Sequence, residues 1–214
     1  MQNFKSQIVE SGKRMLSESL TVATWGNISI VDRENGLVYL TPSGMPYASL
    51  TTSDIPVLTL DGKVVEGARK PTIEKDLHLG IYNNYDYAGA VVHTHPKWSM
   101  IFATIGKDIP LICDEAAQIL SGEVKCAHYA LPGSKELANE CIKALKNANA
   151  CLLQSHGTVC VGRNIDDAFS VATVLEYTAE LYYKILSMGE KPHELKKEDI
   201  EYMYEFVHTK YGQK

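Results

Sequence analysis

Hydrophobic and polar positions along the chain change between helical and strand spacing, which predicts a mixed α/β protein. Near the N-terminus, apolar residues at 4, 8, 9, 15 and 16 recur at helical spacing and predict an opening helix with one buried face. Short apolar runs follow at 27–31, 37–40, 57–60 and 63–65. The polar turns at 32–36 and 61–62 lie between these runs, and we therefore predict two β-hairpins.

The rest of the chain alternates predicted helices with predicted strands. A helix is expected from Thr72 or Ile73 onward, and four further helices are expected over 96–102, 113–120, 135–145 and 200–207. The longest helix is expected from Asn164 to about Met188, and strands are expected at 90–95, 124–127, 150–153 and 158–161. Asp114, Ser134 and Asn164 are candidate N-caps. At 214 residues the chain is long enough for one domain, which we expect to span 1–214.

The apolar strand at 90–92 ends in His93-Thr94-His95. Alternate side chains of a strand share a face, so His93 and His95 are expected to lie close enough to bind one ion. His156 also follows an apolar run and precedes a glycine, which makes it the candidate third ligand. Three neutral imidazoles with one open position are typical of a catalytic zinc site. The alternative is an ordinary structural or surface role, which we predict for the remaining histidines at 78, 128, 193 and 208.

Three polar segments have the composition of phosphate-binding turns. They are Gly26-Asn27, the turn containing Ser43 and Gly44, and the predicted helix start at Thr72, Ile73 and Glu74. Glycine allows close backbone approach, amides and hydroxyls donate to phosphate oxygens, and a helix N-terminus favours anions. Taken alone, each segment is better explained as an ordinary turn or helix start. Glu74 is open to three interpretations, namely a metal ligand, a proton carrier or an acid that only favours a helix start.

Composition narrows the function classes. A net charge of −5 with scattered basic residues argues against a nucleic-acid-binding surface. The apolar runs are too short to span a bilayer, and the first residues lack a signal-peptide pattern, so a cytoplasmic location is expected. The five cysteines form no Cys-x-x-Cys pair and are expected to be free thiols, with a reactive role for Cys113 the less favoured interpretation.

These candidates limit the chemistry without choosing one reaction. A cation with an open position polarises a carbonyl oxygen and stabilises the negative charge that develops beside it. Combined with phosphate-binding turns, this predicts carbon–carbon cleavage, epimerisation or dehydration next to the carbonyl of a phosphorylated sugar, or metal-assisted hydrolysis. The residues alone leave these alternatives open.

The ordered motif set resembles a known family. It consists of Gly26-Asn27-Ile28-Ser29, Thr41-Pro42-Ser43-Gly44, Lys70-Pro71-Thr72-Ile73-Glu74, His93-Thr94-His95-Pro96 and His156-Gly157, spread over most of the chain. In this order the set is similar to that of the class II aldolase and adducin head family. Within the family the resemblance is to aldolases acting on L-fuculose 1-phosphate or a related deoxy-ketose phosphate.

The resemblance implies a fold, a reaction and a set of roles. It implies a three-layer α/β/α fold around a mostly antiparallel sheet, and a cyclic homotetramer with active sites between subunits. It implies reversible cleavage of a ketose 1-phosphate to dihydroxyacetone phosphate and an aldehyde. Zinc, or another divalent ion, would bind His93, His95 and His156, with Glu74 as acid/base and occasional fourth ligand. The sugar phosphate would bind Gly26, Asn27, Ser43, Gly44 and Thr72, with the backbone of Ile73.

Two departures from the family pattern keep alternatives open. Ile73 stands where the aldolases have a second serine, which removes one hydroxyl from the phosphate site. Asp114 stands where a catalytic tyrosine from the neighbouring subunit is expected, and the related pentulose-5-phosphate 4-epimerases use an aspartate from a neighbouring subunit. Tyr211 matches a second tyrosine in a C-terminal tail that closes over the site. A 4-epimerase and a non-catalytic adducin-like assembly module therefore remain as alternatives.

Overall fold

A computed structural model describes residues 4–146, 148–193 and 195–212, and within them eight strands form one sheet. The strands are β1 (Asn27–Asp32), β2 (Leu37–Leu40), β3 (Val57–Thr59), β4 (Val64–Glu66), β5 (Ala90–Thr94), β6 (Cys126–Ala127), β7 (Ala150–Leu153) and β8 (Gly157–Gly162). Their order across the sheet is β4-β3-β2-β1-β5-β8-β7-β6. The β6 and β7 strands pair in parallel, and the other described pairs are antiparallel. Both predicted hairpins are confirmed.

Seven α-helices are described around this sheet, together with two single-turn 3-10 helices at Tyr47–Ser49 and Thr52–Asp54. The α-helices are α1 (Phe4–Ser17), α2 (Lys75–Asn84), α3 (Lys97–Ile105), α4 (Asp114–Leu120), α5 (Lys135–Leu145), α6 (Ile165–Ser187) and α7 (Lys197–Thr209). None of these described helices is both long and apolar enough to cross a membrane.

Successive residues of the central strand β5 face two different hydrophobic cores. Val91 packs with residues of α2 and α5, whereas Val92 packs with residues of α1, α3, α4 and α6. Strand side chains alternate between the two faces of a sheet, so a fully apolar strand such as β5 requires helices on both faces. The predicted three-layer α/β/α fold with a mostly antiparallel sheet is confirmed.

Two predicted helix caps are confirmed and one is wrong. The Ser134 hydroxyl accepts from the Leu137 backbone N–H at 3.1 Å, and the Asn164 side chain accepts from the Asp167 N–H at 2.9 Å. Asp114 is not a cap, because α4 begins at Asp114 itself with the preceding residue in the cap position. Its carboxylate therefore lies in the first turn of a short helix.

The start of α2 differs from the prediction, and the difference matters for the site. The helix begins at Lys75, so Thr72 and Ile73 lie in the turn before it. Thr72 donates its backbone N–H to the Thr41 carbonyl at 3.1 Å, and Pro71 forms a β-bridge with Pro42. This pairing with a distant segment replaces the first helical turn. It fixes the predicted phosphate turns next to each other.

Candidate metal and sugar-phosphate site

Three histidines meet at the end of the two central strands β5 and β8. His93 is in β5, His95 follows the end of that strand, and His156 lies in the tight turn between β7 and β8. The ring centroids are 4.8 Å apart for His93 and His95, 4.9 Å for His93 and His156, and 5.2 Å for His95 and His156. One candidate ligand atom from each side chain lies within 4.8 Å of the others. The sequence prediction that these three residues come together is confirmed as geometry.

Hydrogen bonding to the backbone fixes which nitrogen of His93 faces the cluster. Its Nδ1 lies 2.8 Å from the carbonyl oxygen of Thr158, which can only accept, so Nδ1 carries a proton. The Nε2 atom is therefore turned to the cluster, 3.1 Å from His95 Nε2. A histidine that donates its outer nitrogen to a carbonyl is the usual arrangement of a metal ligand.

Several polar atoms at this point fit a divalent cation. Two imidazole lone pairs aimed at one point repel each other unless a proton or a cation lies between them. In a tetrahedral zinc site with Zn–N bonds of about 2.0–2.1 Å, ligand nitrogens lie about 3.3 Å apart, close to the His93–His95 separation. Among the described residues, Glu74 Oε1 and His156 Nδ1 are buried side-chain atoms without a hydrogen-bond partner. The donor set of three imidazoles and one carboxylate suits Zn²⁺ and similar ions.

Glu74 is turned into the cluster and does not cap its helix. It occupies the N-cap position of α2, yet its side chain makes no cap hydrogen bond. Oε2 accepts from Asn27 Nδ2 at 2.8 Å and lies 3.2 Å from His93 Nε2, while Oε1 lies 3.2 Å from His156 Nε2. The interpretation of Glu74 as only a helix-start acid is therefore not supported by its contacts.

The ionisable groups of the cluster shift one another strongly. Burial alone raises the pKa of Glu74, but the adjacent His93 and His156 and the Asn27 amide together hold it well below its usual range. Burial lowers the pKa of His95 to about 3 and that of His156 to about 4. Burial also lowers the pKa of His93, but the Glu74 carboxylate outweighs it and raises the pKa. A cation therefore competes with a proton on His93, and its affinity falls as the pH falls.

The predicted phosphate-binding residues line the same cavity as the cluster. The cavity has a volume of about 380 Å³ and is lined by Gly26, Asn27, Ser43, Gly44, Thr72, Ile73, Glu74, His95 and His156, together with Thr24, Trp25, Pro42 and Pro132. The three segments from which the phosphate candidates come are joined by the β-bridge and hydrogen bonds described above. The Ile73 side chain is 63% exposed, so it offers an apolar surface at this cavity.

Asp114 and Tyr211 are not brought to this cavity within the chain. Among the described residues, neither belongs to the cavity lining. Asp114 is exposed at the start of α4, and Tyr211 is 71% exposed beside Phe206 after the end of α7. In this structure neither side chain is therefore placed to act in the cavity of its own chain.

Sequence reasoning missed three residues of the site. Trp25 stacks on His95 with ring centroids 6.3 Å apart, and its side chain is 58% exposed at the cavity. His78, for which the sequence predicts only a structural or surface role, is fully buried next to Asn27. Gly157 stands out in the sequence only as a turn residue. Its position after the candidate ligand His156 was the available signal, since a glycine there allows close packing of the neighbouring rings.

Replacing Gly157 by alanine is expected to weaken metal binding. A Cβ atom at this position would lie 2.5 Å from the Thr94 carbonyl oxygen, 3.0 Å from His93 Cε1 and 3.1 Å from His95 Cδ2. The backbone and both rings have to move, and disturbed ligand orientation typically costs about 10- to 100-fold in affinity. Zn²⁺ titration against a competing chelator measures the change. Gly80→Ala is the matched control, because its Cβ meets only the flexible end of Ile142 at 3.0 Å; equal Zn²⁺ affinities for the two variants would contradict the prediction.

The buried His78 is expected to make stability depend on pH. Burial lowers its pKa to about 3, below the value of about 6.5 in an unfolded chain. Between these values the unfolded state binds the extra proton, so stability due to neutral His78 is present above about pH 6.5 and lost as the pH falls. The stability advantage of the metal-free wild type over His78→Gln should therefore shrink by about 1.4 kcal/mol per pH unit in this window. Urea unfolding at several pH values measures it, and parallel curves would refute it.

Comparison with known proteins places this site in a family. The family model described as "Class II Aldolase and Adducin N-terminal domain" matches residues 6–183. A 5-deoxy-D-ribulose 1-phosphate aldolase from Bacillus thuringiensis serovar kurstaki is 39% identical over 201 residues, covering 94% of this chain and 93% of the relative.

Solved structures agree in fold and extent. An L-fuculose 1-phosphate aldolase superposes with a TM-score of 0.93 at 33% identity, covering 97% of each chain. The L-fuculose-1-phosphate aldolase from Thermus thermophilus superposes with a TM-score of 0.76 at 27% identity, covering 89% of this chain and 98% of that one. The similarity therefore extends over nearly the whole chain.

Proposed function

Because the chain belongs to the class II aldolase and adducin family and its named relatives are aldolases, we propose that it cleaves a ketose 1-phosphate reversibly to dihydroxyacetone phosphate and an aldehyde. One observation supports the proposal most: the six candidate phosphate-binding residues, Glu74 and two of the three clustered histidines line one cavity. The substrate would be L-fuculose 1-phosphate, 5-deoxy-D-ribulose 1-phosphate or a related deoxy-ketose phosphate, as the names of the relatives suggest.

The phosphate group would bind at the wall formed by the three polar segments. Backbone N–H groups near Gly26 and Gly44, the Ser43 and Thr72 hydroxyls and the Asn27 amide are neutral donors suited to phosphate oxygens. Ile73 contributes its backbone and no hydroxyl. This arrangement holds the sugar with its carbonyl end toward the histidines, and that orientation lowers the barrier to reaction.

His93, His95 and His156 would hold the divalent cation, which we propose to be Zn²⁺, with Glu74 as an occasional fourth ligand. A bound Zn²⁺ acts as a Lewis acid on the substrate carbonyl and stabilises the charge that develops during bond cleavage. Metal analysis by inductively coupled plasma mass spectrometry of protein purified without added metal tests the identity of the ion.

Glu74 would carry the proton in the reaction. The carboxylate is ionised at neutral pH and lies beside the histidine cluster, so it can accept a proton from a substrate hydroxyl when the carbon–carbon bond breaks. The same group would return a proton to the enediolate carbon. Its burial, with only 5% of the residue exposed, keeps bulk water away from this step.

A substrate panel tests the proposed reaction. Zn²⁺-loaded protein is incubated with several ketose 1-phosphates, and dihydroxyacetone phosphate is detected with a coupled dehydrogenase. We expect release from at least one deoxy-ketose 1-phosphate, with D-fructose 1-phosphate as the hydroxylated comparison. No product from any member of the panel would refute the proposal.

Asp114 supports one alternative, a pentulose-5-phosphate 4-epimerase. The aspartate at the start of α4 could reach the cavity of a neighbouring subunit and exchange a proton there, which the family tyrosine would otherwise do. Interconversion of pentulose 5-phosphates without dihydroxyacetone phosphate release would favour this function. A non-catalytic assembly module is disfavoured, because the named relatives are aldolases and the histidine cluster is present.

We further propose a homotetramer in the cytoplasm, with Asp114 and Tyr211 acting in the site of a neighbouring subunit. The solvent-accessible positions of both residues, outside the cavity lining of their own chain, support this assembly. Light scattering determines the mass in solution. If Asp114 acts between subunits, Asp114→Asn should lower the turnover of the wild-type assembly, while an unchanged rate would assign this residue to the first turn of α4 alone.

A further inference from the structure

A row of buried polar side chains lies behind Glu74, and the proposed reaction does not use most of it. Tyr82 Oη lies 2.7 Å from Ser29 Oγ, and Ser29 Oγ lies 2.6 Å from His78 Nδ1. His78 Nε2 lies 2.5 Å from Asn27 Oδ1, and Asn27 Nδ2 lies 2.8 Å from Glu74 Oε2. Tyr82, Ser29 and His78 are fully buried. We call these five residues the Glu74 array.

The proton positions in the Glu74 array follow from its charged end. Glu74 Oε2 lies 2.8 Å from Asn27 Nδ2, and a carboxylate at neutral pH can only accept, so the amide nitrogen of Asn27 donates to it. The amide oxygen of Asn27 then faces His78 and accepts. His78 must therefore carry its proton on Nε2.

The other end of the array agrees with this direction. Burial lowers the pKa of His78 to about 3, so the ring is neutral and carries one proton. Since that proton is on Nε2, Nδ1 accepts from the Ser29 hydroxyl. Ser29 has used its proton, so it accepts in turn from Tyr82. Every hydrogen bond of the array is thus donated in the direction of Glu74. The three middle residues each accept one bond from the preceding residue and donate one to the next.

We infer that His78 is a positioning residue: its Nε2–H holds the Asn27 side chain in the orientation that directs the amide nitrogen at Glu74. A rotation of this amide by half a turn would place Oδ1 against Glu74 Oε2, at the 2.8 Å that now separates nitrogen and oxygen. Two buried acceptors at that distance repel each other, and each loses its donor. Glu74 would then turn away from the histidines or take up a proton. In either state it is a poorer base.

The effect on turnover rests on the proposed function, whereas the direction of the hydrogen bonds does not. A histidine that only fills the core would also satisfy its own two nitrogens. Such a residue would not need Nε2, rather than Nδ1, to be the donor. If His78 positions Asn27, turnover depends on the Nε2–H group that faces Asn27; if His78 only fills the core, turnover depends on neither nitrogen in particular.

Two substitutions of His78 distinguish the contribution of Nε2, which faces Asn27, from that of Nδ1, which faces Ser29. His78→Gln can place an amide N–H near the position of Nε2 and keep the donor to Asn27, while it loses the group facing Ser29. His78→Asn is the converse, because its shorter side chain can reach Ser29 but leaves Asn27 without the donor. Both remove the same ring, so their losses of core packing are similar.

We expect Zn²⁺-loaded His78→Asn to lose about 10- to 100-fold in kcat, the usual effect of removing a group that orients an active-site residue. The kcat of Zn²⁺-loaded His78→Gln should stay within about threefold of the wild-type kcat. Zn²⁺ affinity, measured by chelator competition, should change by less than about threefold in both, because the three histidine ligands remain. Equal kcat in the two variants, whether high or low, would overturn the inference.

Tyr85, which follows the last residue of α2, offers a control for lost stability. Tyr85 donates its hydroxyl to the Ile142 carbonyl at 2.7 Å, outside the Glu74 array and the cavity. Tyr85→Phe should lower the unfolding temperature and leave kcat unchanged. If Tyr85→Phe lowers kcat as His78→Asn does, the effect is general destabilisation and the positioning role fails.

A measurement on the wild type is independent of any activity. In ¹⁵N-labelled protein, NMR of the imidazole nitrogens should show a proton bonded to Nε2 of His78 and none on Nδ1, with the His78→Gln spectrum giving the assignment. A proton on Nδ1 would overturn the inference even if the protein is an aldolase. The expected tautomer in a protein that cleaves no ketose 1-phosphate would refute the proposed function and leave the array intact.

Discussion

His95→Ala is expected to abolish both metal binding and aldol cleavage. His95 Nε2 lies 3.1 Å from His93 Nε2, and its burial-lowered pKa keeps the ring neutral and able to bind a cation at neutral pH. With alanine at this position only two of the three imidazoles, His93 and His156, are left to bind the cation. Since Lewis-acid stabilisation contributes several kcal/mol, we expect kcat to fall by about 10³-fold or more.

Metal content per chain and dihydroxyacetone phosphate release are measured on the same preparations. His128→Ala is the matched control, because His128 is exposed and lies outside both the histidine cluster and the cavity lining. It should retain the metal and the activity. A His95→Ala protein with wild-type metal content and turnover would show that the cluster is not the catalytic metal site.

Glu74→Gln is expected to keep the metal and lose most of the turnover. Glutamine has nearly the same shape, and its side-chain oxygen can still accept from Asn27 Nδ2, so the packing around the site is preserved. It cannot take up a proton at neutral pH. Loss of general acid–base catalysis typically costs about 10²- to 10⁴-fold, and we expect this loss in kcat with little change in KM.

Asp76→Asn is the corresponding control for a carboxylate on the same helix. Asp76 pairs with Lys75 at 2.6 Å near the surface, and its side chain is 33% exposed. Its removal should leave kcat and metal content unchanged. An active Glu74→Gln enzyme would contradict the proton-transfer role and would direct attention to Asp114 or Tyr211 of a neighbouring subunit.

The clustering of the three candidate metal ligands could be predicted because each signal is local. His93 and His95 follow from the two-residue period of a strand, and His156 follows from an apolar run that ends before a glycine. The caps Ser134 and Asn164 are local in the same way, since a side chain bonds a backbone N–H three residues on.

The start of α2 could not be predicted, because a distant segment decides it. Local composition favoured a helix from Thr72, but the pairing of Pro71 and Thr72 with the segment at Thr41 fixes a turn there. The cap predicted at Asp114 was also wrong. The helix begins one residue earlier than a cap at Asp114 requires, with Cys113 in the cap position and no side-chain cap hydrogen bond.

By itself the sequence determined the two kinds of element, the candidate ligands and the polar turns, because these depend on periodicity and on residue type over a few positions. The tertiary structure decided that the turns and the ligands share one cavity. It also brought His78 to Asn27, 51 residues away, and Asn27 to Glu74, 47 residues away. The physical reason is that the register of β1 against β5 and the packing of α2 on the sheet set those contacts, and neither is encoded within a short stretch of chain.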